Sequence, residues 1–209
     1  MPISWKEWYP GLNNGHLTLR EVWSTLPGAT ADEISWHVRM FENPASPISF
    51  TGAIELHPHD CIHILLGRGL LNQDEAFVIG YTMGTNKDIS RWQLWSFKKI
   101  ARYFYPYPYK FRKNDVIAYD LGVGYGLIDC KINRIQDMPL FTDSYLDSKI
   151  SDIRKEIGIN VPELRTWYRK EQSLIPNTKE SLRLPVDEEI TTMRLDKPNG
   201  EDCDWYGHE

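Results

Sequence analysis

Apolar residues recur at helical spacing along most of the chain, whereas the alternation of apolar and polar residues that marks a β-strand is sparse. Ile34, Val38 and Phe41, for example, would lie on one face of a helix. Polar residues that start helices, and glycines or prolines that stop them, separate these segments. The pattern therefore predicts an all-α fold, a single compact domain of several helices.

Eight helices are predicted from their start and stop signals. Capping boxes at residues 18–21 and 30–33 open the first two, which end before Pro27 and Pro44. The other six are predicted to begin at Pro58, Asn72, Asp88, Asn114, residue 142 or 143, and Pro162. Predicted ends are Gly67, Gly84, the tyrosine-proline segment 105–109, Cys130 and Gly158, and the helix at Pro162 is expected to be short.

The helix predicted from Asn114 contains three glycines, Gly122, Gly124 and Gly126. Glycines in a helix interior cost about 1 kcal/mol each relative to alanine, so something must compensate. One interpretation is that a neighbouring helix, or an elongated ligand, approaches closely along the Gly122 and Gly126 face, which makes these two residues candidates for lipid binding. The alternative is that the helix ends near Gly122 and a loop follows.

Four residues with good metal-ligand chemistry, His59, Asp60, His63 and Glu75, fall within one short segment. On a helix, His59 and His63 lie roughly 40° apart, and Asp60 projects from the same sector. In an unbroken helix Glu75 would lie about 18 Å further along the axis. The glycines at residues 67–69 predict a helix stop, and a turn there would return Glu75 to the histidines. The sequence therefore predicts a four-residue site for a divalent ion.

Each of these residues also has a purely structural interpretation. Glu75 is the third residue after Asn72 and would complete a capping box there. Asp60 would suit the first turn of a helix, and the histidines would be ordinary surface or core residues. His57 is predicted to lie outside the ligand set. Imidazole and carboxylate ligands suit Zn²⁺, which is the first prediction, with Fe, Mn and Mg as alternatives.

Asp60 is the candidate catalytic residue. The spacing of His59, Asp60 and His63 equals that of the zinc protease signature with Asp in place of Glu, so a metal-dependent hydrolase is one alternative. The shorter aspartate arm holds a carboxylate farther from a metal-bound water. Asp60 is therefore predicted to be a ligand or to orient a histidine.

Charge divides the 209-residue chain, whose net charge is −5, into two unequal parts. Residues 171–209 carry four Lys or Arg against ten Asp or Glu, a net charge of −6, which leaves +1 for residues 1–170. This division predicts a helical domain at 1–170, which contains the candidate metal-binding and lipid-binding residues, and an extended or disordered acidic tail at 171–209. The nearly neutral body argues against a nucleic-acid partner.

Compartment signals are few. Cys61, Cys130 and Cys203 are odd in number and widely spaced, which favours a reducing compartment and excludes a disulfide scaffold or a zinc knuckle. The first residues do not resemble a signal or transit peptide, and no run of eighteen apolar residues predicts a transmembrane segment. We expect a cytoplasmic protein that is peripheral at the membrane.

The motif His-Asp-x-x-His-x11-Glu, with Gly67 four residues past the second histidine, resembles the coenzyme Q biosynthesis protein 4 family. Residues 152–159, followed by Pro162, are similar to the C-terminal region of that family. The resemblance covers roughly residues 10–165, and its specific part lies within residues 57–80.

The resemblance implies an all-helical protein that acts at the membrane in ubiquinone assembly. It implies a divalent metal held by His59, Asp60, His63 and Glu75, and a groove for a polyprenyl tail. The expected activity is oxidative decarboxylation at ring C1 of a prenylated hydroxybenzoate. The expected partners are a prenylated quinone precursor or isoprenoid lipid, other quinone-biosynthesis enzymes and a second copy in a homodimer. The second hypothesis is a non-catalytic lipid-binding scaffold with a structural metal.

Between Asp88 and Asp115 the chain has no acidic residue, and lysines and arginines alternate with aromatic residues. Cations beside amphipathic aromatics suit an anionic bilayer surface. The alternatives are that the aromatics are core residues with a solvated basic edge, or that they stack on nucleic-acid bases. The predicted membrane-facing residues are Lys98, Arg102, Lys110, Arg112 and Lys113.

Overall fold

The computed structural model describes residues 4–27, 56–105 and 110–186, and these residues form nine α-helices, one 3-10 helix and no strand. The predicted all-α class is confirmed. The helix expected at residues 30–44 and the acidic residues 187–209 lie outside the described residues. The helices are α1 Leu19–Trp23, α2 Leu56–Leu66, α3 Asn72–Thr85, α4 Arg91–Tyr103, α5 Lys113–Ile128, α6 Asp143–Leu146, α7 Ile150–Ile157, α8 Val161–Leu174 and α9 Lys179–Leu182, with the 3-10 helix at Ile135–Asp137.

Local signals place the ends of the first helices. The predicted capping box opens α1, because the Glu21 amide donates to Thr18 Oγ1 at 3.2 Å and the Thr18 amide donates to the Glu21 carboxylate at 2.7 Å. Helix α2 ends at Gly67, whose φ is +67°. The amides of Gly67 and Arg68 donate to the Ile64 and His63 carbonyls at 3.1 and 2.9 Å, which is a Schellman motif. The predicted helix stop is confirmed.

Two predicted helices begin or break elsewhere. Helix α4 begins after Ser90, which forms a capping box with Gln93, rather than at Asp88. The single helix predicted from residue 142 or 143 is divided into α6 and α7. The break occurs because the chain pairs there with the N-terminal segment: the Leu19 amide donates to Ser148 O at 3.1 Å, and the Ile150 amide donates to Leu17 O at 2.9 Å.

The central pair of the fold is α3 and α5, and their glycines face each other's backbone. Helix α5 continues through its glycines to Ile128, so the predicted loop at Gly122 is wrong. A Cβ atom on Gly122 would lie 2.1 Å from Phe77 O, and one on Gly126 would lie 2.7 Å from Tyr81 O. The close helix approach is therefore confirmed. Because α3 fills this face, the predicted lipid-binding role of Gly122 and Gly126 is wrong.

The folded body extends past the boundary predicted from charge. Helix α8, predicted to be short, has 14 residues and contains the expected boundary at 170/171. Glu171, Ser181 and Leu184 are buried, and one apolar cluster runs from Trp8 to Leu184. Residues 171–186 thus belong to the domain rather than to a tail. No described helix is both long and apolar enough to cross a membrane.

Candidate metal centre

His59, His63 and Glu75 converge where α2 and α3 meet. Helix α2 places the two histidines one turn apart, and the turn after Gly67 reverses the chain so that the first turn of α3 presents Glu75 to them. The Nε2 atoms of His59 and His63 are 3.1 Å apart. Glu75 Oε2 lies 3.1 Å from His59 Nε2, and Glu75 Oε1 lies 3.3 Å from His63 Nε2.

These three distances fit a shared metal ion. Ligand atoms bound at about 2.0–2.1 Å with tetrahedral angles are about 3.3 Å apart. The distance between the two Nε2 atoms, and the distance from each Nε2 to one Glu75 oxygen, are close to this value, with the two imidazoles facing different oxygens of the carboxylate. The donor set of two imidazoles and one carboxylate suits zinc and also iron or manganese. Three protein ligands would leave a coordination position for water or substrate, as in catalytic zinc sites.

The protons of the cluster are arranged for metal binding. His63 Nδ1 donates to the carbonyl of Gly69 at 2.7 Å, and this bond leaves Nε2 with the lone pair that faces His59 and Glu75.

The capping role considered for Glu75 is wrong. The N-cap of α3 is Leu71 without a side-chain cap hydrogen bond, and the Glu75 carboxylate points to the histidines.

Opposite charges dominate the electrostatics of the cluster. Burial favours the neutral form of Glu75, but the charges and hydrogen bonds of His63 and His59 outweigh it and hold the Glu75 pKa well below its ordinary value. Burial likewise acts to lower the pKa of His63, but Glu75, and less strongly Asp74, raise it. The site therefore keeps Glu75 ionised, as a carboxylate ligand of a divalent cation must be, and a bound cation would take the place of the proton on His63 Nε2.

Asp60 lies beside this cluster rather than in it. The ligand atoms within 4.8 Å of one another belong to His59, His63 and Glu75 only, among the residues that the structure describes. The structure therefore brings together three of the four predicted ligands. Burial, and to a smaller extent Glu75, raise the pKa of Asp60 to about 7, while His59 acts to lower it. Such a carboxyl group can exchange a proton near neutral pH.

Two neighbouring residues behave differently from the ligands. His57 is exposed and stacks on Phe141 with ring centroids 4.5 Å apart, consistent with its predicted exclusion from the site. Arg68, whose sequence context predicts only a helix stop, is fully buried. It pairs with Glu171 of α8 and lies 3.5 Å from Asp74. In the sequence, the only local sign of this buried position is that an arginine stands between two glycines.

A second surface of interest lies on α4. Trp92 and Trp95 are 68% and 47% exposed and stack with centroids 4.9 Å apart. Lys99 Nζ lies 5.6 Å from both the Trp95 and the Tyr103 rings. Phe104, which follows the helix, is 79% exposed. These residues form one aromatic and basic row along the helix, and this set is called the α4 row below.

The predicted membrane-facing cations divide into two groups. Lys98 is bonded to Asp120 of α5 at 2.8 Å, so part of its charge is neutralised. Arg102 lies beside the Tyr103 ring, and Lys110, Arg112 and Lys113 are exposed. The alternative that the aromatics of this segment are core residues holds for Phe97, Tyr105 and Phe111, which are buried.

No protein-family model matches the chain, and neither a curated protein nor a solved structure matches it.

Proposed function

We propose that this protein binds one divalent ion, with zinc the first candidate and iron, manganese and magnesium the alternatives, through His59, His63 and Glu75. The observation that carries the proposal is the convergence of three side chains: the two Nε2 atoms are 3.1 Å apart, and the Glu75 carboxylate places Oε2 3.1 Å from His59 Nε2 and Oε1 3.3 Å from His63 Nε2. The resemblance of the motif to the coenzyme Q biosynthesis protein 4 family supplies the substrate class, a prenylated hydroxybenzoate-type ring.

The proposed activity is oxidative decarboxylation at ring C1 during quinone biosynthesis: the carboxylate leaves as carbon dioxide, a hydroxyl group replaces it, and molecular oxygen is the two-electron oxidant, which is reduced to hydrogen peroxide. A bound divalent ion supplies Lewis acidity toward a carboxylate or ring oxygen. Asp60 is the proposed proton-transfer group, because its carboxyl is buried beside His59 and its pKa of about 7 allows both protonation states. The bond from His63 Nδ1 to the Gly69 carbonyl holds this imidazole in a fixed orientation, with Nε2 toward His59 and Glu75.

The second candidate function is a lipid-binding scaffold for other quinone-biosynthesis enzymes, with a structural metal. Burial of the ligands favours it: His63 is fully buried, and an ion at this position would link α2 to α3. The two candidates differ in coordination. A catalytic ion keeps an exchangeable position, whereas a structural ion is saturated by protein ligands. In both cases we propose a prenylated precursor or isoprenoid lipid as the ligand.

We also propose that the protein is peripheral at an anionic membrane and that the α4 row touches the bilayer. Exposed tryptophans beside lysine are typical of residues at a membrane interface, where the ring is partly apolar and the cation meets lipid phosphates. Such docking would bring the metal site to a substrate whose prenyl tail resides in the bilayer. The nearly neutral body gives no support for a nucleic-acid partner.

The metal is tested by elemental analysis of protein purified without added metal and after zinc titration. We expect about one ion per chain in the wild type, none in His63→Ala and the wild-type content in His16→Ala, since His16 is an exposed histidine outside the cluster. Circular dichroism establishes whether His63→Ala keeps its helices. A wild type that takes up no zinc, iron or manganese would overturn the metal site.

The reaction is tested separately, on metal-loaded protein mixed with a prenylated hydroxybenzoate in detergent under air. Enzymatic function requires release of carbon dioxide and appearance of the C1-hydroxylated ring, both lost in Asp60→Asn. Tight binding of the prenylated ring without turnover, together with a saturated metal shell, supports the scaffold instead. Neither binding nor turnover would contradict the proposed substrate class.

A further inference from the structure

We propose that Arg68 is a positioning residue that sets the orientation of both halves of the metal cluster, an inference that rests on the metal site proposed above. Arg68 lies in the turn between α2, which carries the two histidines, and α3, which carries Glu75. Its connections lead to His63 through the Gly69 carbonyl and to Glu75 through Asp74. It therefore orients the ligand residues through their neighbours and does not itself touch the ion.

The first connection is made by the backbone of the turn. Gly67 has φ +67°, and the Arg68 amide donates to the His63 carbonyl at 2.9 Å. This geometry returns the chain over the His63 ring, where the Gly69 carbonyl accepts a hydrogen bond from Nδ1 at 2.7 Å. A carbonyl only accepts, so the proton of neutral His63 is held on Nδ1 and the lone pair of Nε2 is presented to the site.

The side chain of Arg68 anchors this turn in the core. The guanidinium carbon lies 4.0 Å from the Phe77 ring centroid and 4.3 Å from that of Tyr168, so the group contacts both of these rings, which are arranged edge to face. Its Nη1 donates to Glu171 Oε1 at 3.0 Å, and its Nη2 donates to the other oxygen of the same carboxylate. This two-pronged contact with α8 fixes where the backbone of the turn can lie.

The second connection runs through the first turn of α3. Arg68 Nη1 lies 3.5 Å from Asp74 Oδ1, and Arg183 pairs with the other Asp74 oxygen. Successive residues on a helix project about 100° apart. With Asp74 held between two arginines, the next residue, Glu75, is turned toward His59 and His63. One buried cation thus couples the orientation of a histidine ligand to that of the carboxylate ligand.

Stability alone is a poor explanation for this arrangement. A buried ion pair contributes little more to the free energy of unfolding, and often less, than apolar residues of the same size. Here Arg68, Asp74 and Glu171 are all fully buried, and Asp74 immediately precedes the proposed ligand Glu75. The planar fork of arginine is needed to hold both oxygens of the Glu171 carboxylate while it contacts the Phe77 and Tyr168 rings, which a lysine cannot do.

The test uses Arg68→Lys and Arg68→Met in the full chain, with Arg169→Lys and Arg169→Met as controls, since Arg169 is an exposed arginine of α8. Zinc affinity is measured by competition with a chromophoric chelator. Imidazole ¹⁵N chemical shifts, recorded on metal-free protein at alkaline pH and assigned with His63→Ala, report which nitrogen of His63 carries the proton. We expect zinc binding about 10- to 100-fold weaker in the Arg68 variants and a mixture of His63 tautomers, with both controls unchanged.

Two outcomes would overturn the proposal. The first is a single Nδ1-protonated tautomer and unchanged zinc affinity in Arg68→Lys or Arg68→Met. The second is failure of both variants to fold even in trimethylamine oxide, which strengthens apolar burial, because Arg68 would then be structural only. If wild-type protein binds no zinc, the metal site fails by itself. A change of His63 tautomer in a folded Arg68 variant would still support the positioning role.

Discussion

His59 and His63 face each other through their Nε2 atoms at 3.1 Å, and both contact the same Glu75 carboxylate. Two imidazole nitrogens this close repel each other when both carry lone pairs, unless a proton or a cation lies near them. The Glu75 carboxylate supplies negative charge beside both nitrogens. The arrangement is therefore best satisfied by a positive charge between the two Nε2 atoms and the carboxylate, which is the physical basis of the predicted metal site.

Replacement of Glu75 by Gln should remove most of the zinc affinity. The substitution keeps the size of the side chain but removes the negative charge that opposes the two imidazoles, so we expect zinc binding weaker by at least about tenfold. Zinc should raise the melting temperature of the wild type, because the ion binds the folded state, and should have little effect on Glu75→Gln. Calorimetric titration and thermal unfolding measure both effects.

The matched control for this prediction is Glu163→Gln, which removes one carboxylate from the exposed face of α8. It should bind zinc like the wild type. Equal zinc affinity in Glu75→Gln and Glu163→Gln would show that the carboxylate is not a ligand.

Local signals predicted most of the helices that carry the site. Helix α2 was expected from Pro58 to Gly67 and runs Leu56–Leu66, and α3 was expected from Asn72 to Gly84 and runs Asn72–Thr85. The spacing of the histidines and the glycine stop are properties of neighbouring residues, so the convergence of three ligands followed from them. The exclusion of Asp60 from the ligand set did not follow from local signals. It depends on how α2 is rotated about its axis against α3, and packing contacts decide that rotation.

Long-range contacts account for the other differences. The break between α6 and α7 comes from pairing of residues 148–150 with residues 17–19, far earlier in the chain. The tail boundary predicted at 170/171 assumes that the acidic residues after it are solvated. Glu171 is instead buried against Arg68. A carboxylate and its distant arginine cannot be matched from one sequence, since composition records only their charges.

Replacement of Gly122 by Ala should destabilise the fold. Its Cβ atom would lie 2.1 Å from the Phe77 carbonyl, and the backbone of α3 cannot move away without disturbing the core. Alanine favours the helix by about 1 kcal/mol, but overpacking of this kind costs typically about 1–3 kcal/mol and more when backbone is involved. We expect a net loss of about 2 kcal/mol in the free energy of unfolding, measured by urea denaturation.

Gly124→Ala is the control, because that Cβ atom would meet the far edge of the Trp167 ring rather than backbone. We expect it to cost at least about 1 kcal/mol less than Gly122→Ala. Equal destabilisation of the two variants would contradict close backbone packing as the reason for Gly122.

Replacement of Glu171 by Gln should cost far more stability than the same change at Glu163 on the same helix. Glu171 is fully buried and paired with Arg68, so loss of its charge leaves a buried cation with a weaker partner. Breaking a buried pair costs about 3–5 kcal/mol, whereas an exposed substitution changes stability by about 0.5 kcal/mol or less. Denaturant unfolding of both variants measures the difference, and a small cost at Glu171 would indicate that water reaches Arg68.

Asp115 should make stability depend on pH. Burial raises the pKa of Asp115 from 3.8 to about 6, against the lowering effect of the Arg112 amide, which donates to its carboxylate at 2.7 Å. The folded protein therefore binds this proton more tightly than the unfolded chain. The resulting stabilisation of the folded state is fully present below pH 3.8 and is lost as the pH rises through about 6.

Asp115→Asn removes this titration and keeps an oxygen that can accept from Arg112. Between about pH 7 and about pH 4 the wild type should gain about 2 kcal/mol of unfolding free energy relative to Asp115→Asn. Denaturant unfolding of both proteins is measured at each pH across this range. The difference between their unfolding free energies cancels the contributions of all other groups. A constant difference between them would show that the Asp115 pKa is not raised.

Reversal of one charge in the α4 row should weaken binding to anionic vesicles. Lys99 lies beside the exposed Trp95 and Tyr103 rings, so its charge should meet lipid phosphates when those rings enter the interface. Each cation at an anionic surface contributes about 1 kcal/mol, and Lys99→Glu replaces attraction by repulsion. We expect membrane partitioning reduced by at least about tenfold in co-sedimentation at low salt, and binding of the wild type weakened at high salt.

Lys155→Glu is the control, because it makes the same change of net charge at an exposed position on α7. Since screening restricts charge effects to about 10 Å at 0.1 M salt, this variant should bind vesicles nearly as well as the wild type. Trp92→Ala should weaken binding at both low and high salt, because burial of an indole ring is not screened. Equal losses in Lys99→Glu and Lys155→Glu would assign binding to net charge alone, and no pelleting of the wild type with anionic vesicles would exclude the α4 row as a membrane surface.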